Sequence, residues 1–238
     1  MAVSKDDLLS KLKEWNIKHE TIQHALSPTC EIHSENIKGT AFERFIGKGQ
    51  AKNLFFKVPS GGGALKNRLF LVCALVETAV DNKTLSTRMG IKASAPLRLA
   101  ADEIFDDVLQ IPKGSVNPFV LAQESCNDIF LLLDKQFLAC EGLLFHPMSS
   151  DYTTCLGPSA LTAFLEKTAP GRFLYVDLSA SDKIDVPPLA TVAKAVDKEA
   201  KGKPGDAPKK AATSAPGRKE DGDDWYVPPY PTTMGWVL

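Results

Sequence analysis

For its first 180 or so residues the chain alternates short apolar runs with polar punctuation. Leu8, Leu9, Leu12 and Trp15 recur at helical spacing, so Lys5 to Trp15 predicts an amphipathic helix. Ile17 to His24 alternates weakly and predicts a strand, and Asn36 to Phe45 predicts a second helix. Ala51 to Val58 and Arg68 to Val76 read as strands separated by a turn with three consecutive glycines, which predicts a hairpin. Asp81 to Met89 opens on an acidic N-cap candidate and stops at Gly90, the pattern of a short helix; Ala101 to Leu109 opens similarly on Asp102 and Glu103. Ile129 to Leu133 predicts a buried strand, Pro158 to Thr168 a helix with proline near its start, and Phe173 to Leu178 a last strand. Strands and helices interleave, but too irregularly for repeated crossover units. The expected class is therefore α+β with a mixed sheet.

Composition divides the chain. From about Ala180 to Gly222 it is Ala, Lys, Pro, Gly, Ser and Asp, with almost no large apolar residue beyond Val196. Such a stretch buries too little surface to offset its ordering entropy. The expected organisation is a folded domain over residues 1–180, a flexible charged linker over 181–224, and an aromatic, proline-rich segment over 225–238. The net charge of -1 hides a polarised layout: lysines and Arg218 between Lys194 and Lys219 precede the acidic Glu220 to Asp224. A near-zero sum therefore does not exclude a nucleic-acid partner. The 44% hydrophobic content supports a real core. No apolar run approaches membrane-spanning length, and MAVSKDDLLSKLKEW lacks the apolar region of a secretory signal. Five scattered cysteines without a C-x-x-C pair suit free thiols in a cytoplasmic setting.

Candidate chemistry is concentrated in a few segments. GKGQAKNLFFK carries Lys52 and Asn53, but its spacing is not that of a phosphate loop, and on spacing alone Lys52 is a solvated strand-edge charge. KGSVNPF, Lys113 to Phe119, is a loop with two turn signals. In EGLLFHPMSSDYTTC, His146 precedes a proline and is followed by several hydroxyls; histidine is the side chain most easily tuned near neutral pH. Cys140 or Cys155 could pair with it as a thiol and imidazole. His19, His24 and His33 match no common zinc spacing, so neither a metal nor another cofactor is expected. Residue types alone indicate an α+β domain with a candidate Lys/His pocket.

Taken in order, HETIQHALSPTCE, GKGQAKNLFFK, RLFLVCALVETAVDNKTLSTRMGIK, LRLAADEIFDDVLQIPKGSVNPFVL and LLFHPMSSDYTTCLGPSALTAFLE resemble the YbaK-like aminoacyl-tRNA editing superfamily. Within it they are most similar to free-standing homologues of the prolyl-tRNA synthetase editing insertion. The resemblance covers roughly residues 1–180. It implies a mixed, strongly curved β-sheet surrounded by helices. The implied activity is hydrolysis of mischarged tRNA, with alanyl-tRNA(Pro) as the usual substrate of this branch. Such an activity answers a physical need: a pocket that admits proline cannot strongly reject smaller alanine, so a second hydrolytic site must add discrimination.

The resemblance assigns Lys52 and His146 as catalytic residues. It places His24, Thr29, Asn53, Gly114, Ser115 and Thr153 in substrate binding. Lys52 would orient the substrate, and Gly114 and Ser115 would offer donors to the developing oxyanion. Family chemistry is substrate-assisted, with the free hydroxyl of the terminal adenosine helping to activate water. The implied partners are the tRNA(Pro) acceptor end and, as a further candidate, prolyl-tRNA synthetase; the basic stretch would add sequence-neutral attraction to the tRNA backbone. Ser150 stands where the family usually has Asn, and Asp151 and Tyr152 replace small residues. These departures flank the expected pocket and put serine and cysteine beside alanine as candidate substrates. They also motivate an alternative: a non-catalytic module of the same fold that binds tRNA or prolyl-tRNA synthetase.

Overall fold

Sequence parity sorts the side chains of the main sheet between two apolar faces. The computed structural model describes residues 2–112 and 114–187. In it β2 (Ala51–Lys57), β3 (Leu69–Leu75), β4 (Arg98–Leu99), β5 (Ile129–Asp134) and β8 (Phe173–Val176) form one sheet in the order β4-β2-β3-β5-β8. The β2–β3 pair is the antiparallel hairpin the glycine-rich turn predicts, with Lys52 opposite Ala74 and Asn53 opposite Cys73. β3 and β5 run parallel, as do β5 and β8, so the sheet is mixed and the class is α+β. Odd-numbered Ala51, Phe55, Leu71, Cys73, Ile129, Leu131 and Leu133 join one apolar cluster; even-numbered Phe56, Phe70, Val72, Phe130 and Leu132 join the other.

The odd face is covered by α1 (Lys5–Glu14) through Leu8 and Leu12, and by α5 (Pro158–Thr168) through Leu161, Phe164 and Leu165. α1 begins at a full capping box between Ser4 and Asp7. The even face is covered by α3 (Asn82–Arg88), whose N-cap is Asp81, together with Met89, Ile91 and Leu97. Ile184 is buried on this face and its backbone N–H donates to Arg88 O. Residues 188–224 of the expected linker and the whole of 225–238 lie outside the described residues.

A second, antiparallel sheet has the order β1-β7-β6, from β1 (Glu20–Gln23), β6 (Leu143–Phe145) and β7 (Tyr152–Leu156). The sequence pattern assigned no strand to 143–156, where a turn and a run of hydroxyls interrupt the apolar signal. The second helix also differs from expectation. α2 spans Cys30–Ile37 because Thr29 caps its N-terminus, and the chain turns away through Gly39 at φ +74°, leaving only a 3-10 turn at Glu43–Phe45. Residues 101–109 form a short α4 (Asp102–Ile104) that continues as a π-turn, Phe105–Leu109.

The two sheets meet where two glycines pass each other. Leu144 N donates to Gly49 O at 2.9 Å. A Cβ on Gly49 would lie 2.0 Å from Gly142 O, and one on Gly142 would lie 2.8 Å from the Phe45 ring and from Cys155 Sγ. Only glycine permits that approach, which sets the strand leading to His146 beside the start of β2.

The loop carrying residues 114–117 is anchored by Phe119, fully buried and edge-to-face with Phe145 at 5.8 Å and Phe164 at 5.2 Å. Truncation at Phe119→Ala is expected to cost about 3–5 kcal/mol. Urea unfolding would measure it; a loss below about 1 kcal/mol, the scale of an ordinary surface change, would contradict the anchoring role.

Candidate active site

Three histidines from distant parts of the chain share one space. His24 follows β1, His33 lies on α2, and His146 follows β6. Their ring centroids are 5.5 Å (His24–His33), 5.8 Å (His24–His146) and 5.0 Å (His33–His146) apart. His33 and His146 are both 2% exposed.

Their hydrogen bonds fix where the protons sit. The Gly47 N–H donates to Gln50 Oε1, which orients the amide so that Nε2 donates to His33 Nδ1 at 3.0 Å. His33 must then carry its proton on Nε2, which donates to Thr153 Oγ1 at 2.8 Å. The Thr153 hydroxyl in turn donates to His24 Nε2 at 2.7 Å. His24 is left with its proton on Nδ1, which donates to Ala25 O at 2.7 Å. The result is a one-way chain, Gln50 to His33 to Thr153 to His24.

His146 stands outside that chain. Its Nδ1 donates to Tyr152 O at 2.6 Å, so its Nε2 carries a lone pair, and this buried atom has no hydrogen-bond partner. Burial, reinforced by the other two rings, pushes His33 down to about 3. Burial likewise pushes His146 down to about 4. Asn117 fixes the backbone around it: Asn117 Nδ2 donates to His146 O at 2.5 Å and to Ser115 O at 2.8 Å. This couples the 114–117 loop to the histidine segment.

A shallow crevice beside these rings, with no room for a water molecule, is lined by His33, Ala51, Asn53, Leu144, Phe145 and His146. Asn53 Oδ1 is buried without a partner, as is Ser115 Oγ. Of the residues expected from sequence, His24, His146 and Thr153 are brought together directly, and Asn53 lines the cleft beside them. Ser115 is tied to the same region through Asn117, and Gly114 takes φ +95° at the entry to its loop.

Lys52 and Thr29 are placed differently. Lys52 is only 4% exposed, not a solvated edge charge. As Asn53's neighbour it points to the opposite pleat, where its Nζ donates to Val76 O at 2.8 Å. Burial lowers its pKa, against the nearby Cys30, Glu77 and Asp134, which raise it. The Thr29 hydroxyl is used as the α2 cap, accepting from Ile32 N. Cys140 Sγ donates to Lys48 O, and burial pushes the Cys155 thiol up to about 11. Neither thiol is hydrogen-bonded to His146, whose Nδ1 meets Tyr152 O. His19 is engaged elsewhere, with Ile17 O.

Sequence reasoning missed Gln50, Asn117 and the role of His33. Gln50 and Asn117 lie inside the quoted GKGQAKN and GSVNPF segments, so the signal was adjacent. Among the described residues no group of three or more His, Cys, Asp or Glu is placed to hold a metal ion; the Nε2 atoms of His24 and His33 both meet the Thr153 hydroxyl. No helix among them is long and apolar enough to cross a membrane.

Residues 40–164 match the aminoacyl-tRNA editing domain family, and the chain belongs to that family. It is 29% identical over 177 residues to the prolyl-tRNA synthetase associated domain-containing protein 1 of Danio rerio, covering 70% of this chain and 86% of that one. It is 26% identical over 157 residues to the prolyl-tRNA editing protein ProX of Acetoanaerobium sticklandii, covering 64% and 85% respectively. The fold is shared with the crystal structure of the hypothetical protein APE2540, at a TM-score of 0.51 and 15% identity, over 73% of this chain and 99% of that one.

The neutral histidines make stability acid-sensitive. An unfolded histidine ionises near pH 6.5, whereas folded His33 and His146 stay neutral to about 3 and about 4. Below 6.5 the unfolded chain binds protons the folded chain refuses. Stability should therefore fall from about pH 6.5 towards 4, by about 1.4 kcal/mol per pH unit for each histidine, and be flat in these groups above 7. Denaturation across that range for the natural chain, His33→Asn and His146→Asn tests this; slopes unchanged in both variants would contradict it.

Proposed function

We propose that the protein is a trans-editing deacylase that hydrolyses mischarged tRNA, with alanyl-tRNA(Pro) as its principal substrate and the reaction confined to the cytoplasm. The observation that carries this reading is the cleft: a narrow space between apolar Ala51, Leu144 and Phe145 and the polar His33, Asn53 and His146, in a chain of the editing family. In this reading the crevice opens for a methyl side chain and not for a pyrrolidine ring. A smaller amino acid is admitted and the larger cognate one is refused, which is the discrimination a synthetase pocket cannot make by itself.

In this reading the chemistry is ester hydrolysis assisted by the substrate. Among the described residues no carboxylate is hydrogen-bonded to these histidines as a Ser/His/Asp-type base requires, so in this reading the free hydroxyl of the terminal adenosine helps to activate the attacking water. Lys52 leaves the Val76 carbonyl and orients the ester or the terminal phosphate. Ser115 Oγ and the backbone at Gly114 and Ser115 face the carbonyl as its oxygen becomes anionic. The tRNA is held mainly through its acceptor end.

The direct assay is release of amino acid from alanyl-, seryl-, cysteinyl- and prolyl-tRNA by the full chain. Alanine release should be fastest and proline release undetectable. Lys52→Ala should lower the alanine rate by about 10–100-fold, the worth of one charge-assisted hydrogen bond. A substrate lacking the free terminal hydroxyl should not be cleaved. Binding of tRNA with no release from any of the four would refute the enzyme and favour the non-catalytic module.

A further inference from the structure

A cavity of about 330 Å³ opens on the even face of the large sheet, with none of the histidines in its lining. It lies beyond the carboxyl ends of the three parallel strands: Glu77 and Thr78 follow β3, Gln136 follows β5 and Leu178 follows β8. Parallel strands commonly present ligands there, and small-ligand pockets run from about 300 to 1,000 Å³. Val80, Leu85 and Leu178 belong to the even-face cluster and give the cavity apolar walls. Its polar side is built outward from Asp134. That carboxylate, fully buried, accepts from Leu75 N, Gln136 N and the Thr78 hydroxyl. The one Thr78 hydroxyl proton is thereby used, so its Oγ1 can only accept from Gln136 Nε2, at 3.2 Å. This orients the Gln136 amide, which keeps one N–H and its Oε1 bonded to no other described residue.

We propose that this cavity receives the adenine base of the substrate's terminal adenosine. This rests on the reading of the substrate as an aminoacyl-tRNA, and it names where the last base is held. A carboxamide offering an acceptor beside a donor complements adenine, whose 6-amino group donates beside the acceptor N7. The apolar walls take the faces of the ring. Lys52 connects the cavity to the histidines. Its Nζ donates to the carbonyl of Val76, the residue before Glu77. Glu77 and Asp134 act on its charge from the cavity side, and Cys30 from the other. Cys30 and His33 lie three residues apart on α2, on one face of that helix. A base seated in the cavity thus brings its ribose towards the ammonium that orients the ester. A free adenine nucleotide carries the same base, and the experiment separates the two sources.

The test measures equilibrium binding of the full chain to an acceptor-stem RNA ending in adenosine. Two companion RNAs end in purine riboside, which lacks the 6-amino group, and in guanosine, which has an acceptor in its place. The adenosine-ended RNA should bind about tenfold more tightly than either companion, the discrimination of one bidentate pair. Gln136→Leu, at an exposed position, should abolish that preference. Ala79→Trp, at an exposed position of the lining, fills the cavity and should weaken the adenosine-ended RNA to the level of its companions. Adenosine monophosphate should compete only at concentrations far above those of the RNA. Competition at equal concentration would assign the cavity to a free nucleotide and overturn the proposal. Equal binding of the three RNAs, binding of none, or a preference unchanged in both variants would also overturn it. The deacylation panel decides the enzymatic reading separately. A chain that releases alanine from tRNA without a preference for terminal adenosine is a deacylase that does not use this cavity, and one that has the preference but releases no amino acid keeps the cavity and loses the activity.

Discussion

Three imidazole rings packed within 5–6 Å of one another cannot all be charged, and burial keeps His33 and His146 neutral. Burial removes the water that would stabilise an imidazolium at His33 and His146, and among the described residues no carboxylate is hydrogen-bonded to any of the three rings. Neutrality has a geometric consequence. A neutral imidazole is a donor at one nitrogen and an acceptor at the other, so each ring's tautomer follows from its neighbour's. The choice is made at Gln50, whose amide is oriented by the backbone of Gly47. It passes through His33 and the Thr153 hydroxyl and ends at His24. His146 is set separately, by the Tyr152 carbonyl at its Nδ1.

The fold supplies the precision this arrangement needs. His33 comes from a helix, Thr153 from the middle strand of the small sheet, and Gln50 from the residue just before β2 in the large sheet. Hydrogen bonds of 2.7–3.0 Å among them require the sheets to be locked in register. The glycine contact at Gly49 and Gly142 does this at one end, and Asn117 does it at the other by binding the His146 carbonyl. The backbones of Ser150 and Asp151, the positions that depart from the family pattern, also hold the segment around His24: His24 N donates to Asp151 O and Ser27 N to Ser150 O. Their contribution is made by main-chain atoms, which a change of side chain leaves in place. Site and core are therefore not separable. Phe145 belongs both to the aromatic group around Phe119 and to the wall of the cleft.

Much of this was legible in the sequence, but unevenly. α1, α3, α5 and the β2–β3 hairpin follow from apolar periodicity, from the Asp81 cap and from Pro158 in the first turn of α5, which act locally. β6 and β7 did not, because their burial comes from pairing with β1 and from contact with Gly49, both long-range. The second helix was displaced because its start depends on the Thr29 cap and its end on Gly39, signals weaker than the apolar residues at 42–46. His24, Asn53, His146 and Thr153 were reached through the ordered family motifs. The network that gives them meaning was not, since nothing local marks Gln50 as the group that sets a tautomer. Lys52 shows the opposite failure: its spacing suggested a solvated edge, and only the three-dimensional packing reveals an ammonium buried against the Val76 carbonyl.

The account stands on the proton positions, and nitrogen-15 NMR of histidine-labelled protein at pH 7 reads them directly. It should show neutral rings at His33 and His146, with the proton on Nε2 in His33 and on Nδ1 in His146. It should also show a His146 Nε2 with the shift of an unprotonated nitrogen. A His33 protonated on Nδ1, or a charged ring at His33 or His146 at that pH, would contradict the chain from Gln50 to His24 and the tautomer set at His146 by Tyr152.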